Sequence, residues 1–257
     1  MGNALSLTLV SVVCLACTPV PVPEVETLPS SMRSGDLALE DFSLHYVEAG
    51  SRDKPLILFV HGTPGSWKAF ARYLDDPRLN QRAHLIAMDR PGFGLSAGSG
   101  SVALFQDQSR YLAPLFELNT SGRPAILVGH SLGGSLVYQL ALDYPDKVGA
   151  LVSISAPFDP ALSGPRWYNQ LARLPGAGWV AGQDMKRAYD DMMPLVSQLE
   201  PIVSRAQEIA IPVTLIHGAE DGLVKIENAE LARERLRNAA VRYRRYDADG
   251  HFIVWEH

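Results

Sequence analysis

From residue 36 onward, short apolar runs alternate with stretches of helical spacing. "PLILFV" (55–60), "AHLIAMD" (83–89), "PAILVG" (124–129), "KVGALVSIS" (147–155) and "PVTLIHG" (212–218) are nearly continuous apolar runs. Runs of that length predict strands buried on both faces. "DLALE" (36–40) and "FSLHYVEAG" (42–50) predict an opening antiparallel pair. "VRYRRY" (241–246) alternates instead, so it predicts a strand with one arginine-rich solvent face. Between these lie predicted helices at 67–74, 101–118, 135–144 and 225–239, the third stopped by Pro145. Strand–helix alternation of this kind implies an α/β domain, with a mostly parallel sheet and helices on both faces. Residues 157–210 break the rhythm with Pro157, Pro160, Pro165, Pro175, Pro194 and Pro201. They predict an insertion of short helices after a strand.

The first 35 residues follow a different pattern. Residues 4–16 are almost wholly apolar or small, but the run is shorter than the roughly 20 residues a membrane-spanning helix needs. It has the length of an export signal. Leu15-Ala16-Cys17 resembles the lipobox of bacterial lipoproteins, which makes Cys17 a candidate lipidation site and membrane anchor. The opening "MGNALS" also fits a myristoylation pattern, and a plain cleaved signal is the third option. The expected organisation is a signal over 1–17, a proline-rich linker over 18–35, and a catalytic-type domain over 36–257.

Composition narrows the chemistry. The formal net charge is −5 and no long basic stretch occurs, so a nucleic-acid partner is not expected. Cys14 and Cys17 are the only cysteines, which leaves the domain without a disulfide, a thiol nucleophile or a thiolate metal site. No metal or organic cofactor is expected.

One serine is set for chemistry. "GHSLG" (129–133) fits G-x-S-x-G, between a predicted strand and a predicted helix. That setting lifts the Ser131 hydroxyl clear of a sheet on a strained turn. A serine nucleophile needs a base, and the base needs an orienting acid. Asp221 follows the strand at 212–218, and His251 follows the last strand. All three stand just beyond strand carboxyl ends, where open α/β sheets place their sites. "HGTPGSW" (61–67) follows another such strand, so the Thr63 and Leu132 backbone N–H groups are candidates for an oxyanion hole. Asp159 is a rival acid, read instead as a turn residue, and His61 and His130 are read as local supports.

"HGTPGSW", "DRPGFGLS" (89–96), "GHSLGG", "HGAED" (217–221) and the Gly-His before Phe252 occur together and in order. With them the chain resembles the α/β-hydrolase superfamily over about residues 36–257. The resemblance implies an eight-stranded sheet and makes 157–210 a cap over the site. It also implies that the epoxide hydrolases and haloalkane dehalogenases use aspartate where this chain has Ser131. The family usually ends in a helix packed on the sheet, whereas only six residues follow His251. The helix is therefore cut short, or the sequence is a fragment.

The expected activity is hydrolysis of small apolar carboxylic esters through an acyl-enzyme. Ser131, Asp221 and His251 would be catalytic, with an aromatic- and methionine-bearing cap enclosing a small-molecule substrate. Alternatives are a carbon–carbon bond hydrolase or aminopeptidase of the same fold, and a catalytically silent ligand-binding relative.

Overall fold

A computed structural model of the chain describes residues 28–40, 42–164 and 177–256. Cys17, Trp167 and Tyr168 lie outside the described residues.

Eight strands form one sheet in the order β1-β2-β4-β3-β5-β6-β7-β8. They are β1 (Met32–Ala38), β2 (Ser43–Ala49), β3 (Leu56–Val60), β4 (His84–Met88), β5 (Ala125–His130), β6 (Val148–Ile154), β7 (Val213–Gly218) and β8 (Val241–Tyr246). β1 and β2 run antiparallel to their neighbours, and β3 to β8 are mutually parallel. The expected eight-stranded α/β-hydrolase architecture is therefore present. The carboxyl ends of β3 to β8 therefore meet along one edge, and Thr63, Ser131, Asp221 and His251 follow strand ends there.

β1 begins at Met32, inside the stretch expected to be linker. Met32 pairs with Ala49 across the ladder and is 6% exposed, so the core extends to it. The strand itself carries Arg33, Ser34 and Gly35, which conceal its pairing in the sequence.

The helices are α1 (Ala71–Leu74), α2 (Pro77–Asn80), α3 (Phe105–Leu112), α4 (Leu132–Asp143), α5 (Ala177–Met192), α6 (Leu195–Arg205), α7 (Glu227–Arg235) and α8 (Ile253–Glu256). Two expected helices are shorter than their apolar patterns. The stretch 67–74 is a 3-10 turn leading into α1, and 101–118 is α3 followed by a 3-10 segment. Pro114 explains the second break, since it removes a backbone donor within the helical run.

The core lies on both faces of the sheet. One face packs Leu58, Leu127 and Leu151 with Leu136, Leu140, Leu199 and Ile202; the other packs Phe59, Leu85 and Ala87 with Trp67, Phe70, Leu74 and Ile253. Each fully buried leucine contributes about 1.5–3 kcal/mol relative to an exposed one. β8 closes one edge, and its exposed Arg242, Arg244 and Arg245 deter another strand from adding to it.

The segment between β6 and β7, where a cap insertion is expected, contains two described helices. Its described helices, α5 and α6, are longer than the short helices the prolines suggested. Gln198 fastens α6 to the body: its Oε1 accepts from Phe105 N, and its Nε2 donates to Ala103 O at 3.2 Å. Beyond His251, α8 is a single turn that docks on the first half of the chain. Trp255 Nε1 donates to Ala69 O at 2.8 Å, and Tyr73 Oη donates to Val254 O at 2.6 Å. No helix among the described residues is long and apolar enough to cross a membrane.

Candidate active site

The turn between β5 and α4 is strained. Ser131 has φ 55° and ψ −128°, a conformation that costs a non-glycine residue about 1–3 kcal/mol. It persists because its surroundings admit little else. The Ser131 N–H donates to Ile154 O at 2.9 Å, and its carbonyl accepts from Gly134 N at 2.8 Å. Strand and helix approach so closely that a Cβ on Gly129 would collide with the Gly133 carbonyl, and one on Gly133 with that of Val60. The small residues of "GHSLGG" are thus required by packing. The hydroxyl makes no capping bond to the helix it heads, so it is left for other partners beside the positive end of the helix dipole.

Asp221 and His251, 30 residues apart, are joined: His251 Nδ1 donates to Asp221 Oδ2 at 2.8 Å. This contact fixes the ring so that Nε2 is the free nitrogen. Asp221 Oδ1 accepts from Leu223 N at 2.9 Å and Val224 N at 2.8 Å. His217 Nε2 donates to Val224 O at 2.9 Å and lies 3.4 Å from Asp221 Oδ2. Burial pushes the Asp221 carboxyl up, but hydrogen bonds from His217 and His251 outweigh it and hold the group well below the usual carboxylate range.

His130 links this pair to the serine that follows it in sequence. Its Nε2 donates to His251 O at 2.9 Å, and the two rings lie 4.9 Å apart. Burial, with a smaller push from His251, lowers its pKa to about 3, so the ring stays neutral. It seats the backbone of His251, 121 residues away, rather than only packing locally as expected.

Across from Ser131 lies the turn after β3. A Cβ placed on Gly62 would stand 2.9 Å from Ser131 Cβ, so only glycine allows the two loops this close. Thr63 is the next residue. Among the described residues, neither Thr63 N nor Leu132 N donates to a backbone acceptor. His61 is a support, as expected: Nδ1 donates to Gly62 O at 2.7 Å, and Nε2 accepts from Arg90 N at 2.9 Å. Asp159 is a turn residue, its Oδ1 accepting from Ala161 N at 2.8 Å.

Two further groups had no assignment from the sequence. Arg90 is fully buried; it donates to His61 O, Gly62 O and Gln108 Oε1 at 2.8–3.0 Å, and to Asp191 Oδ2 at 2.9 Å. Asp191 belongs to α5, in the cap, and also accepts from Thr63 Oγ1 at 2.9 Å. "DRPGFGLS" was visible as a motif, but the task of its arginine was not. Its Asp89 braces the neighbouring loops by accepting from Trp67 N at 2.8 Å and Leu95 N at 2.9 Å. Among the described residues no cluster of metal-ligating side chains occurs.

Residues 55–179 match a family described as alpha/beta hydrolase fold. The chain is 32% identical over 143 residues to bifunctional epoxide hydrolase 2 of Sus scrofa, a match covering 54% of this chain and 25% of that protein. It is 37% identical over 109 residues to a haloalkane dehalogenase of Bradyrhizobium diazoefficiens, covering 42% of this chain and 34% of the relative. The matches thus span about a quarter to a third of these two curated relatives. A thioesterase domain from the curacin biosynthetic pathway superposes with a TM-score of 0.65 at 16% identity, covering 88% of this chain and 96% of that one. The sheet order, the strained strand–serine–helix turn and these matches show that the chain has the α/β-hydrolase fold.

Proposed function

We propose that the protein is a serine hydrolase acting on small apolar carboxylic esters through an acyl-enzyme. The observation that supports this reading is the 2.8 Å His251–Asp221 contact, to which the strained and uncapped turn at Ser131 is tied through the His130–His251 hydrogen bond. Ser131 Oγ attacks the acyl carbon while His251 Nε2 takes its proton. The Thr63 and Leu132 N–H groups receive the oxyanion, each such donor being worth on the order of 10²–10³ in rate. The tetrahedral adduct collapses, and His251 protonates the departing alkoxide. Water, deprotonated by the same ring, then cleaves the acyl-enzyme. Asp221 holds the imidazole in the productive tautomer and stabilises its charged form.

The serine separates this chain from the activities named for its sequence relatives. A carboxylate that opens an epoxide or displaces a halide forms an ester, which water can cleave at the carbonyl. A serine doing the same would form an ether, which has no carbonyl to attack. Acyl substrates are therefore the class that Ser131 can turn over.

The test is labelling by a fluorophosphonate together with turnover of p-nitrophenyl esters of graded chain length. Labelling that disappears in Ser131→Ala, with highest rates on short or aryl esters, supports the reading. An unlabelled protein, or parent-rate turnover by Ser131→Ala, overturns it. A maximum at long acyl chains with a jump above the micelle concentration makes the protein a lipase instead.

The apolar leader supports export with an anchor at Cys17. Detergent-phase partitioning that Cys17→Ser abolishes is the expected outcome, and a myristoylated Gly2 contradicts it.

A further inference from the structure

We propose that Asp191, carried on cap helix α5, is a positioning residue that sets the oxyanion turn through Arg90 and the Thr63 hydroxyl. This rests on the ester-hydrolase reading above. Three facts converge on the turn 61–63. Arg90 donates to His61 O and Gly62 O, both at 3.0 Å. His61 donates to Gly62 O from the same side of the turn's own backbone, at 2.7 Å. Asp191 Oδ2 holds both the Arg90 guanidinium and Thr63 Oγ1 at 2.9 Å.

The Gly62 carbonyl and the Thr63 N–H belong to one planar trans peptide, so they point in opposite directions. Pinning the Gly62 oxygen onto Arg90 and His61 therefore turns the Thr63 N–H away from them. Even a Cβ on Gly62 would collide with Ser131, so the turn carrying that amide lies close to the nucleophile. Asp191 completes the arrangement by keeping Arg90 in place and fastening the Thr63 side chain. It reaches the turn from 128 residues away, so a cap seated on the body and an aligned oxyanion turn are one event.

Stability alone does not account for this pair. Two fully desolvated charges are often no better than well-packed apolar residues of the same volume. What an apolar pair lacks is the ability to hold two carbonyls and a hydroxyl at fixed angles.

The experiment uses two variants of the full chain. Thr63→Val removes the hydroxyl and leaves the backbone amide and the Arg90–Asp191 pair. Asp191→Ala removes the common acceptor. Active sites are titrated with a fluorophosphonate, so that kcat refers to folded enzyme only. Both variants should lose about 10- to 100-fold in kcat, with KM changed by less than about twofold, as an oxyanion-hole defect predicts. A trifluoromethyl ketone, whose hemiketal with Ser131 Oγ carries the oxyanion, should bind more weakly by the same factor. Titrated kcat within about twofold of the parent in Thr63→Val, or a loss confined to Tm and to the number of titratable sites, overturns the proposal. A parent protein that neither labels nor turns over esters overturns the ester-hydrolase reading as well. An active parent with indifferent variants overturns this one alone.

Discussion

Asp221 and Asp191 are both buried carboxylates at the same sheet edge, and their surroundings treat them oppositely. Asp221 has two backbone N–H groups on one oxygen and His251 on the other, with His217 close by, and is held far below the ordinary range. Asp191 has Arg90 and Thr63 on one oxygen and only a 3.5 Å contact from Gln108 on the other. Burial dominates there and pushes its carboxyl up, with the Arg90 guanidinium pulling the other way. Hydrogen bonds from two imidazoles thus outweigh burial at Asp221, whereas a single guanidinium shared with three other acceptors does not outweigh it at Asp191. The first arrangement suits an acid that must stay ionised through turnover. The second suits a joint between two parts of the fold.

The largest expected contrast is in rate. Asp221→Asn should lower kcat by about 10⁴-fold with the fold intact, because the amide favours the wrong tautomer of His251. Steady-state kinetics beside far-UV circular dichroism checks this; a loss under tenfold would remove Asp221 from the role.

Stability should show the reverse ranking. Arg90→Met leaves Asp191 buried without its cation and should cost about 3–5 kcal/mol in urea melts, whereas the double variant Arg90→Met/Asp191→Leu should recover most of that. Equal losses in the single and double variants would mean that the pair does not act as a unit.

Each carboxylate also works beside a neutral buried histidine, His130 near Asp221 and His61 near Arg90. Burial lowers both pKa values, His130 to about 3 and His61 well below its ordinary range. Their unfolded forms take up a proton near pH 6.5 while the folded forms do not. Stability should therefore fall as pH drops below about 6.5, by about 1.4 kcal/mol per pH unit for each histidine. His130→Asn should reduce that slope by one proton in urea melts between pH 4 and 6; an unchanged slope would show that His130 is protonated in the fold. Asp221 adds to the acid loss only below about pH 3.9, as pH falls toward its lowered folded value. Asp191 acts in the opposite sense. Its raised folded pKa favours the protonated fold in acid, and that contribution is lost as pH rises through the folded value.

The smallest effect belongs to a third carboxylate. Asp159→Asn keeps an acceptor for Ala161 N and should leave kcat within about twofold and stability within about 0.5 kcal/mol. A kcat loss rivalling that of Asp221→Asn would move the acid to the start of the cap.

The parallel strands were legible because a strand buried on both faces must be apolar throughout, as "LILFV" and "HLIAM" are. Ser131 and Asp221 were legible for a related reason, since each follows such a strand and the turn at Ser131 tolerates only small neighbours, whereas His251 follows the arginine-bearing β8. The start of β1 is hidden in the sequence because its pairing to β2 uses backbone groups and leaves polar side chains such as Arg33 and Asp36 on the strand. Nothing in the spacing of Arg90 and Asp191 announces that they meet, since their 101-residue separation is closed only when the cap seats on the body. A motif fixes what one turn of chain can do by its own backbone. Which distant side chain completes that turn depends on how two layers pack, and here that packing puts a cap carboxylate on the loop facing the nucleophile.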